Sequence, residues 1–578
     1  MRKRESKPKS GLTGLLKPHK GLVALLTILT LAANSLNLVI PKLIATAIDS
    51  YTRRAFIYQN VILEFLGAGV LIFLFTYLQS VVQTVASERV AKDLRTKLAG
   101  KLSVQSYAFV EQATAAKLLT NLTSDVDAVK LFVSQAVATL IASFFTIIGA
   151  SALLLSINWR LALSMLGIVP VIAITFSVAL RKVRPLFKKS QEAVDKLNRV
   201  INESILGSAL IRILNTQALE YNKFLAANTE ARDIGLTILR LFAGLIPAIT
   251  LAANAATVII LWLGGHFVIA GNMTLGDFTA FNSYLSILIF PIMMIGFMSN
   301  VIGQSSASYQ RLSYLLAASD TQEQGKSTAA LKGDVAMQDV TLLFGDKPAL
   351  KNVTFSVRAG TRTAIIGPTA AGKTQLLYLL IGLLKPTSGA VTYDGNPIDD
   401  YDKEALHRHV GFVFQDSVLF NLSLRENIAF SNTAQPQDLE RAIAAAELQD
   451  FIATLPQGLD TAVSERGTSL SGGQKQRVML ARALVLNPKV LLLDDFTARV
   501  DASTESAILA NIEREYPGIT LISVTQKIAS VEQYDHIIVL MEGEVLAAGT
   551  HRELMETSPE YVQIYNSQLS TSHYEVHA

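Results

Sequence analysis

Six long apolar stretches fall in the first ~315 residues of this chain, at about 21–48, 60–84, 133–157, 159–180, 242–270 and 276–302. Each is ~20 residues or longer, enough for a helix to cross ~30 Å of hydrocarbon. Buried helices of a soluble protein are the other reading, and six stretches with so few internal charges argue against it. Half of the 578 residues are hydrophobic and the mean hydropathy is +0.36. The apolar residues are concentrated in these stretches, whereas the last ~245 residues read as a soluble α/β domain.

The segments between stretches alternate in length and charge. Those after the first, third and fifth are short, and those after the second and fourth are long and polar. The latter carries Arg181, Lys182, Arg184, Lys188, Lys189, Lys196 and Arg199. Basic residues favour the cytoplasmic side, so both long segments and both termini are expected there. Arg53 and Arg54 in the first outer loop run against that bias. The N-terminus is basic (Arg2, Lys3, Arg4, Lys7, Lys9, Lys17, Lys20). The apolar stretch behind it is too long for a signal peptide, which predicts a retained membrane helix. Helical periodicity continues into the long segments, so the helices are expected to project beyond the bilayer. Pro41, Pro170, Pro247 and Pro291 lie inside spans, as kinks at a pathway or as ordinary membrane prolines. Asn34, Ser35 and Asn37 read as interhelical hydrogen-bonding groups ahead of substrate contacts. Glu64 is an acid near the outer edge of the second span.

This organisation sets residues 1–20 as a cytoplasmic segment, 21–317 as a transmembrane domain, 318–330 as a polar linker and 331–578 as the soluble domain. Within the last lies Gly367-Pro368-Thr369-Ala370-Ala371-Gly372-Lys373-Thr374, which fits the phosphate-binding P-loop pattern, followed by Gln375. Thr363 to Ile366 before it reads as a buried strand. After it the leucines at 376, 377, 379, 380, 383 and 384 read as a helix on a sheet. A strand, a glycine-bounded loop and a helix N-terminus aim backbone N–H groups at phosphate. Lys373 would reach the outer phosphates and the Thr374 hydroxyl would sit on Mg²⁺.

Further stretches extend this chemistry. Val490-Leu491-Leu492-Leu493-Asp494 is an apolar strand ending in an acid, suited to hold Mg²⁺ beside a P-loop. Val413-Phe414-Gln415 ends another strand. Leu470-Ser471-Gly472-Gly473-Gln474 precedes a helix-forming run and forms a second phosphate cradle. The ~100 residues between the cradles make it hard for one chain to place both on one phosphate chain. Two domains facing head-to-tail could. Net charge of +4 does not suggest a nucleic-acid partner. With no cysteine, disulfides and thiolate chemistry are excluded, and the eight histidines show no metal spacing. No tandem repeat is visible.

Residues 470–474 resemble the signature sequence of ATP-binding cassette (ABC) transporters. Together with the P-loop, Gln415, the Asp494 strand and six preceding spans, nearly the whole chain resembles an ABC half-transporter of the exporter type. The resemblance implies a membrane α-helical exporter-type transmembrane domain of six helices, followed by an α/β P-loop nucleotide-binding domain. It implies ATP and Mg²⁺ as ligands, and a dimer with two ATP molecules sandwiched between nucleotide domains. Thr374, Gln415 and Asp494 would hold Mg²⁺, and Phe344 would stack on adenine where the family usually has Tyr. Ser471, Gly472, Gly473 and Gln474 would serve the opposite site. Residues 461–467 resemble the exporter-specific segment before the signature. Coupling helices are expected near 116–125 and 209–217, joined through Gln415.

Departures from the family pattern fall at catalytic positions. Asp495 stands where active sites have a Glu that orients the attacking water, and its carboxylate sits one methylene shorter. Gln526 replaces a switch His; an amide donates a hydrogen bond without the imidazolium charge. Ala370 occupies a usual P-loop glycine, and Ala498-Arg499-Val500-Asp501 replaces S-A-L-D. These departures are expected to give a site that binds ATP and hydrolyses it poorly. The partner expected is a second half-transporter with intact Glu and His, in a prokaryotic cytoplasmic membrane, exporting drugs or lipid-like molecules. An importer of the same fold, as in siderophore uptake, and an ATP-gated channel-like protein are the alternatives.

Overall fold

The computed structural model describes residues 12–318, 325–416, 418–431, 434–464, 467 and 469–576. The basic residues Arg2 to Lys9, residues 319–324 of the polar linker, and Glu465 and Arg466 of the 461–467 segment lie outside the described residues. The chain divides into two compact units. The first comprises Met1–Ser103 with Ala113–Asp320, the second Val104–Gln112 with Thr321–Ala578.

The first unit is helical. Among the described residues, five helices are long and apolar enough to cross a membrane: Gly14–Thr52, Tyr58–Ser103, Ala115–Ile157, Gln217–Ile269 and Leu275–Ala317. The fourth expected span, 159–180, departs from this pattern. It breaks at Gly167 into Trp159–Leu166 and Ile168–Leu206. Pro170 sits in the first turn of the second piece, where a missing N–H costs least. Beyond it, Arg181, Lys182 and Arg184 make the remainder polar. The helix Tyr58–Ser103 has 46 residues, about 69 Å at ~1.5 Å per residue, so it extends far past a ~30 Å hydrocarbon layer.

Polar side chains join these helices. Asn34 donates to Thr30 O at 2.7 Å on its own helix and accepts from Thr146 Oγ1 at 3.3 Å. Among the described residues, Ser35 and Asn37 bond back to their own helix, at Leu31 O and Ala33 O. Tyr284, buried, donates to the Leu38 carbonyl at 2.8 Å, one turn before Pro41. Asp125, 2% exposed, takes a bidentate grip from Arg311.

The second unit is built on two sheets. A four-stranded antiparallel sheet has the order β2-β1-β4-β5, with β1 Val335–Phe344, β2 Lys347–Val357, β4 Ser388–Tyr393 and β5 Asn396–Pro397. A six-stranded sheet has the order β10-β9-β3-β8-β7-β6. Its strands are β3 Arg362–Ile366, β6 Val410–Val413, β7 Val490–Asp494, β8 Thr520–Thr525, β9 His536–Met541 and β10 Glu544–Gly549. All neighbours pair in parallel except β9 with β10. Strands buried on both faces read as unbroken apolar runs, as in Val490-Leu491-Leu492-Leu493. Alternate residues then feed opposite cores: Leu491 and Leu493 join one with Ile366 and Val539, and Val490 and Leu492 the other with Ile365 and Leu540. In a parallel sheet the C-terminal ends of β3, β6, β7 and β8 share one edge, which positions the site described next.

The helix Tyr107–Ala113 contributes to this second unit, with Tyr107 and Ala108 packed on its core. The segment 116–125, expected as a coupling helix, lies elsewhere. Those residues belong to the first unit, where burial of Asp125 against Arg311 holds them.

Candidate nucleotide site

The P-loop joins β3 to the helix Lys373–Leu380. That helix is shorter than its leucine pattern suggests. Gly382 turns left-handed at φ 71°, and the Leu383 N–H bonds back to Tyr378 O at 2.9 Å, so Leu383 and Leu384 lie beyond the helix end. The loop demands glycine at its corners. A Cβ on Gly367 would lie 2.0 Å from Leu540 O, and one on Gly372 (φ 98°) 2.7 Å from Ala349 O. Ala370 occupies the same left-handed region at φ 65°, a conformation costing a non-glycine residue roughly 1–2 kcal/mol. The departure noted in the sequence is therefore accommodated with strain.

Lys373 is 8% exposed, and its Nζ donates to Gly367 O at 2.7 Å and Pro368 O at 2.8 Å. Burial pushes its pKa down, while Asp495 and Asp494 act the other way. The ammonium thus sits inside the loop it would use to grip phosphate. Pro368, Thr369 and Ala371 complete the turn, and Gln375 follows in the first turn of the helix.

Asp494 ends β7 at 1% exposure. Its Oδ1 accepts from Thr374 Oγ1 at 3.3 Å, and its Oδ2 is buried without a hydrogen-bond partner. Burial raises its pKa to about 6, with further upward pressure from Asp495 and Asp416, against the Thr374 hydrogen bond and Lys373. A buried carboxylate oxygen lacking a donor, next to a hydroxyl, is a donor set suited to a hard divalent cation. Gln415 lies two residues past β6, its side chain exposed and its carbonyl held by Gln476 Nε2 at 3.1 Å. Phe344 ends β1 at 50% exposure, leaving a ring face free to stack.

Asp495 follows directly, at φ 48°, with its N–H bonded to Val524 O at 3.0 Å. Gln526 follows β8 with its side chain exposed. The signature residues occupy the start of the helix Gly472–Leu484. Ser471 caps it reciprocally with Gln474: Gln474 N–H donates to Ser471 Oγ at 3.3 Å, and Ser471 N–H to Gln474 Oε1 at 2.8 Å. Gly472 and Gly473 let another segment approach: a Cβ at 473 would meet Arg499 O at 2.9 Å, and one at 472 Arg499 Cδ at 3.2 Å. Sequence reading did not foresee Tyr107 and the aromatic group it joins, Tyr378, Phe412 and Phe414. Alternating aromatics at 412 and 414 were the available signal.

A membrane helical unit followed by a P-loop α/β domain with a second, capped phosphate cradle defines an ATP-binding cassette transporter. Family profiles agree: one described as the ABC transporter transmembrane region matches residues 23–292, and one described as ABC transporter matches 350–498. The chain is 32% identical over 554 residues to the probable multidrug resistance ABC transporter ATP-binding/permease protein YheI of Bacillus subtilis, covering 94% of each chain. It is 28% identical over 564 residues to the ATP-dependent lipid A-core flippase of Syntrophus aciditrophicus, covering 96% of this chain and 93% of that one. The solved structure of a bacterial Atm1-family ABC exporter with ATP bound is similar at TM-score 0.76 and 25% identity, over 96% of this chain and 99% of that one. The chain belongs to the ABC transporter family, with an exporter-type transmembrane domain and an ATP-binding, ATP-hydrolysing domain.

Proposed function

We propose that this chain is one half of a heterodimeric ABC exporter whose own ATP site is degenerate. The observation that carries this reading is a contrast within one domain. Ser471, Gly472, Gly473 and Gln474 form an intact, capped cradle, whereas Asp495 and Gln526 stand at the ends of β7 and β8 where catalysis needs Glu and His. In a head-to-tail pair the cradle serves the partner's ATP, and Asp495 and Gln526 face this chain's own.

At the degenerate site, Phe344 stacks on adenine and backbone N–H groups of 367–374 surround the phosphates. Lys373 exchanges its carbonyl contacts for phosphate oxygens. Thr374, Asp494 and Gln415 would hold Mg²⁺, and the orphaned Asp494 Oδ2 supports that fit. A bound Mg²⁺ supplies charge neutralisation across the outer phosphates. Asp495 lacks the reach to take a proton from water within ~2.6–3.2 Å, and Gln526 offers an uncharged donor. Nucleotide held there closes the pair and turns over slowly. The cargo class is drugs or lipid-like molecules, supported by the printed functions of the two relatives. The membrane is the cytoplasmic one, with both termini and the nucleotide domain inside.

Steady-state phosphate release from the purified pair tests this. Positioned acid–base groups contribute roughly 10²–10⁴-fold to rate. Ser471→Arg should nearly abolish turnover by filling the working site's cradle, and Asp495→Asn should change it only a few-fold. Silencing by Asp495→Asn with a mild Ser471→Arg would overturn the reading.

A further inference from the structure

The loop leaving β8 depends for part of its backbone hydrogen bonding on a distant side chain. Gln568 lies on the C-terminal helix Pro559–Val576. Its Nε2 donates to the Gln526 carbonyl at 2.6 Å, and its Oε1 accepts from the Ile528 N–H at 3.0 Å. One planar amide therefore holds both ends of the tripeptide 526–528. The N–H between them, on Lys527, is met locally by Thr525 Oγ1 at 3.1 Å.

The two sides of this bridge are firmly based. Ile528 is fully buried in the core beneath the loop. The helix bearing Gln568 is anchored by Tyr561, also fully buried, whose hydroxyl hydrogen-bonds His551 Nδ1 at 2.7 Å. The Gln526 side chain itself is exposed. The loop that presents it thus spans two anchored points, and Gln568 supplies the second.

We infer that Gln568 is a positioning residue for position 526: through it, the C-terminal helix sets how the Gln526 amide meets the terminal phosphate of this chain's nucleotide. This rests on the reading of Gln526 as a γ-phosphate contact. The bonds of Gln568 to this loop run to backbone atoms of 526 and 528, so its effect passes through the 526 backbone. An amide is required, because only it donates and accepts at once in this geometry. A carboxylate keeps the acceptor for Ile528 N–H but opposes the Gln526 carbonyl with a second unprotonated oxygen. A protonated carboxyl restores the donor.

The test compares photo-crosslinking of labelled ATP and labelled ADP to this chain in the full-length protein with its partner. Each value is normalised to the unmodified protein at the same pH. Gln526→Ala lowers the preference for ATP over ADP. Gln568→Glu at pH 8 lowers it by roughly three- to ten-fold, the scale of a lost hydrogen bond. Lowering the pH to about 4, below the ordinary glutamate value of about 4.3, raises the preference again in Gln568→Glu and not in Gln568→Met, which has neither polar group. ADP labelling, unchanged in Gln568→Glu and Gln568→Met, reports an intact fold. The double variant Gln526→Ala/Gln568→Glu loses no more than Gln526→Ala alone, because both changes act through one contact. If Gln526→Ala leaves the preference intact, the γ-phosphate reading fails and this inference with it. If Gln526→Ala lowers the preference but Gln568→Glu does not, or the two losses add, only the role of Gln568 is overturned.

Discussion

Tyr107 and Tyr378 meet edge to face, with ring centroids 5.5 Å apart and planes at 76°. Tyr378 lies on the P-loop helix five residues after Lys373, and its ring also meets Phe412 and Phe414. Tyr107 belongs to a short segment between the long helices Tyr58–Ser103 and Ala115–Ile157. An aromatic pair of this kind contributes about 0.5–1.5 kcal/mol beyond its buried area. Tyr107→Ala is expected to leave ATP labelling of this chain near normal while lowering transport into vesicles more than basal phosphate release. Equal loss of both activities would assign Tyr107 to stability alone.

The raised pKa of Asp494 has a definite sign. A carboxyl whose folded pKa is lifted to about 6 favours folding while protonated, and that contribution is lost as pH rises through about 6. At about 1.4 kcal/mol per pH unit it amounts to roughly 3 kcal/mol. Without Mg-ATP, Asp494→Asn should therefore raise the thermal midpoint at pH 8 and change it little at pH 4. Stabilisation by Mg-ATP should weaken about ten-fold in affinity for each pH unit below 6 in the unmodified protein, because the metal needs the carboxylate. Thermal unfolding from pH 4 to 8, with and without Mg-ATP, reads both effects.

Lys373→Ala removes a cation aimed into the P-loop. Hydrogen bonds to charged groups contribute about 1.5–3 kcal/mol, so ATP binding should fall roughly ten- to hundred-fold. Unchanged photo-labelling of this chain would remove Lys373 from the site.

The P-loop backbone offers an opposed pair. Ala370→Gly relieves a left-handed alanine and should be neutral or stabilising, by up to about 1 kcal/mol after the entropy glycine adds to the unfolded chain. Gly372→Ala would drive a Cβ to 2.7 Å from Ala349 O and should destroy nucleotide labelling. Tolerance of Gly372→Ala would show that the loop relaxes in solution.

Membrane orientation is open to direct chemistry, since the chain has no cysteine of its own. Asn272, exposed between the helix ending at Ile269 and the helix Leu275–Ala317, is expected outside. Asn272→Cys should react with an impermeant thiol reagent from that side, and Lys223→Cys only from the cytoplasm. The reverse pattern would invert the topology.

What could be read from the sequence was local. Apolar runs longer than ~20 residues specify membrane helices because hydrocarbon leaves the backbone no other partner. Gly367 and Gly372 specify a cradle because their own conformations admit nothing larger, and Val490 to Asp494 announces a doubly buried strand with an acid at its tip. Even there, local pattern overreached: the leucine rhythm ran on past Leu380, and the fourth span seemed continuous across Gly167. Only the tertiary structure brought Thr374 within hydrogen-bonding distance of Asp494, because β3 and β7 flank β8, although 120 residues of chain separate the two side chains. It alone assigned 104–112 to the nucleotide domain, bound Asp125 to Arg311 and bridged Gln526 with Gln568. Such pairings depend on which surfaces long-range packing brings together, and no spacing along the chain encodes them.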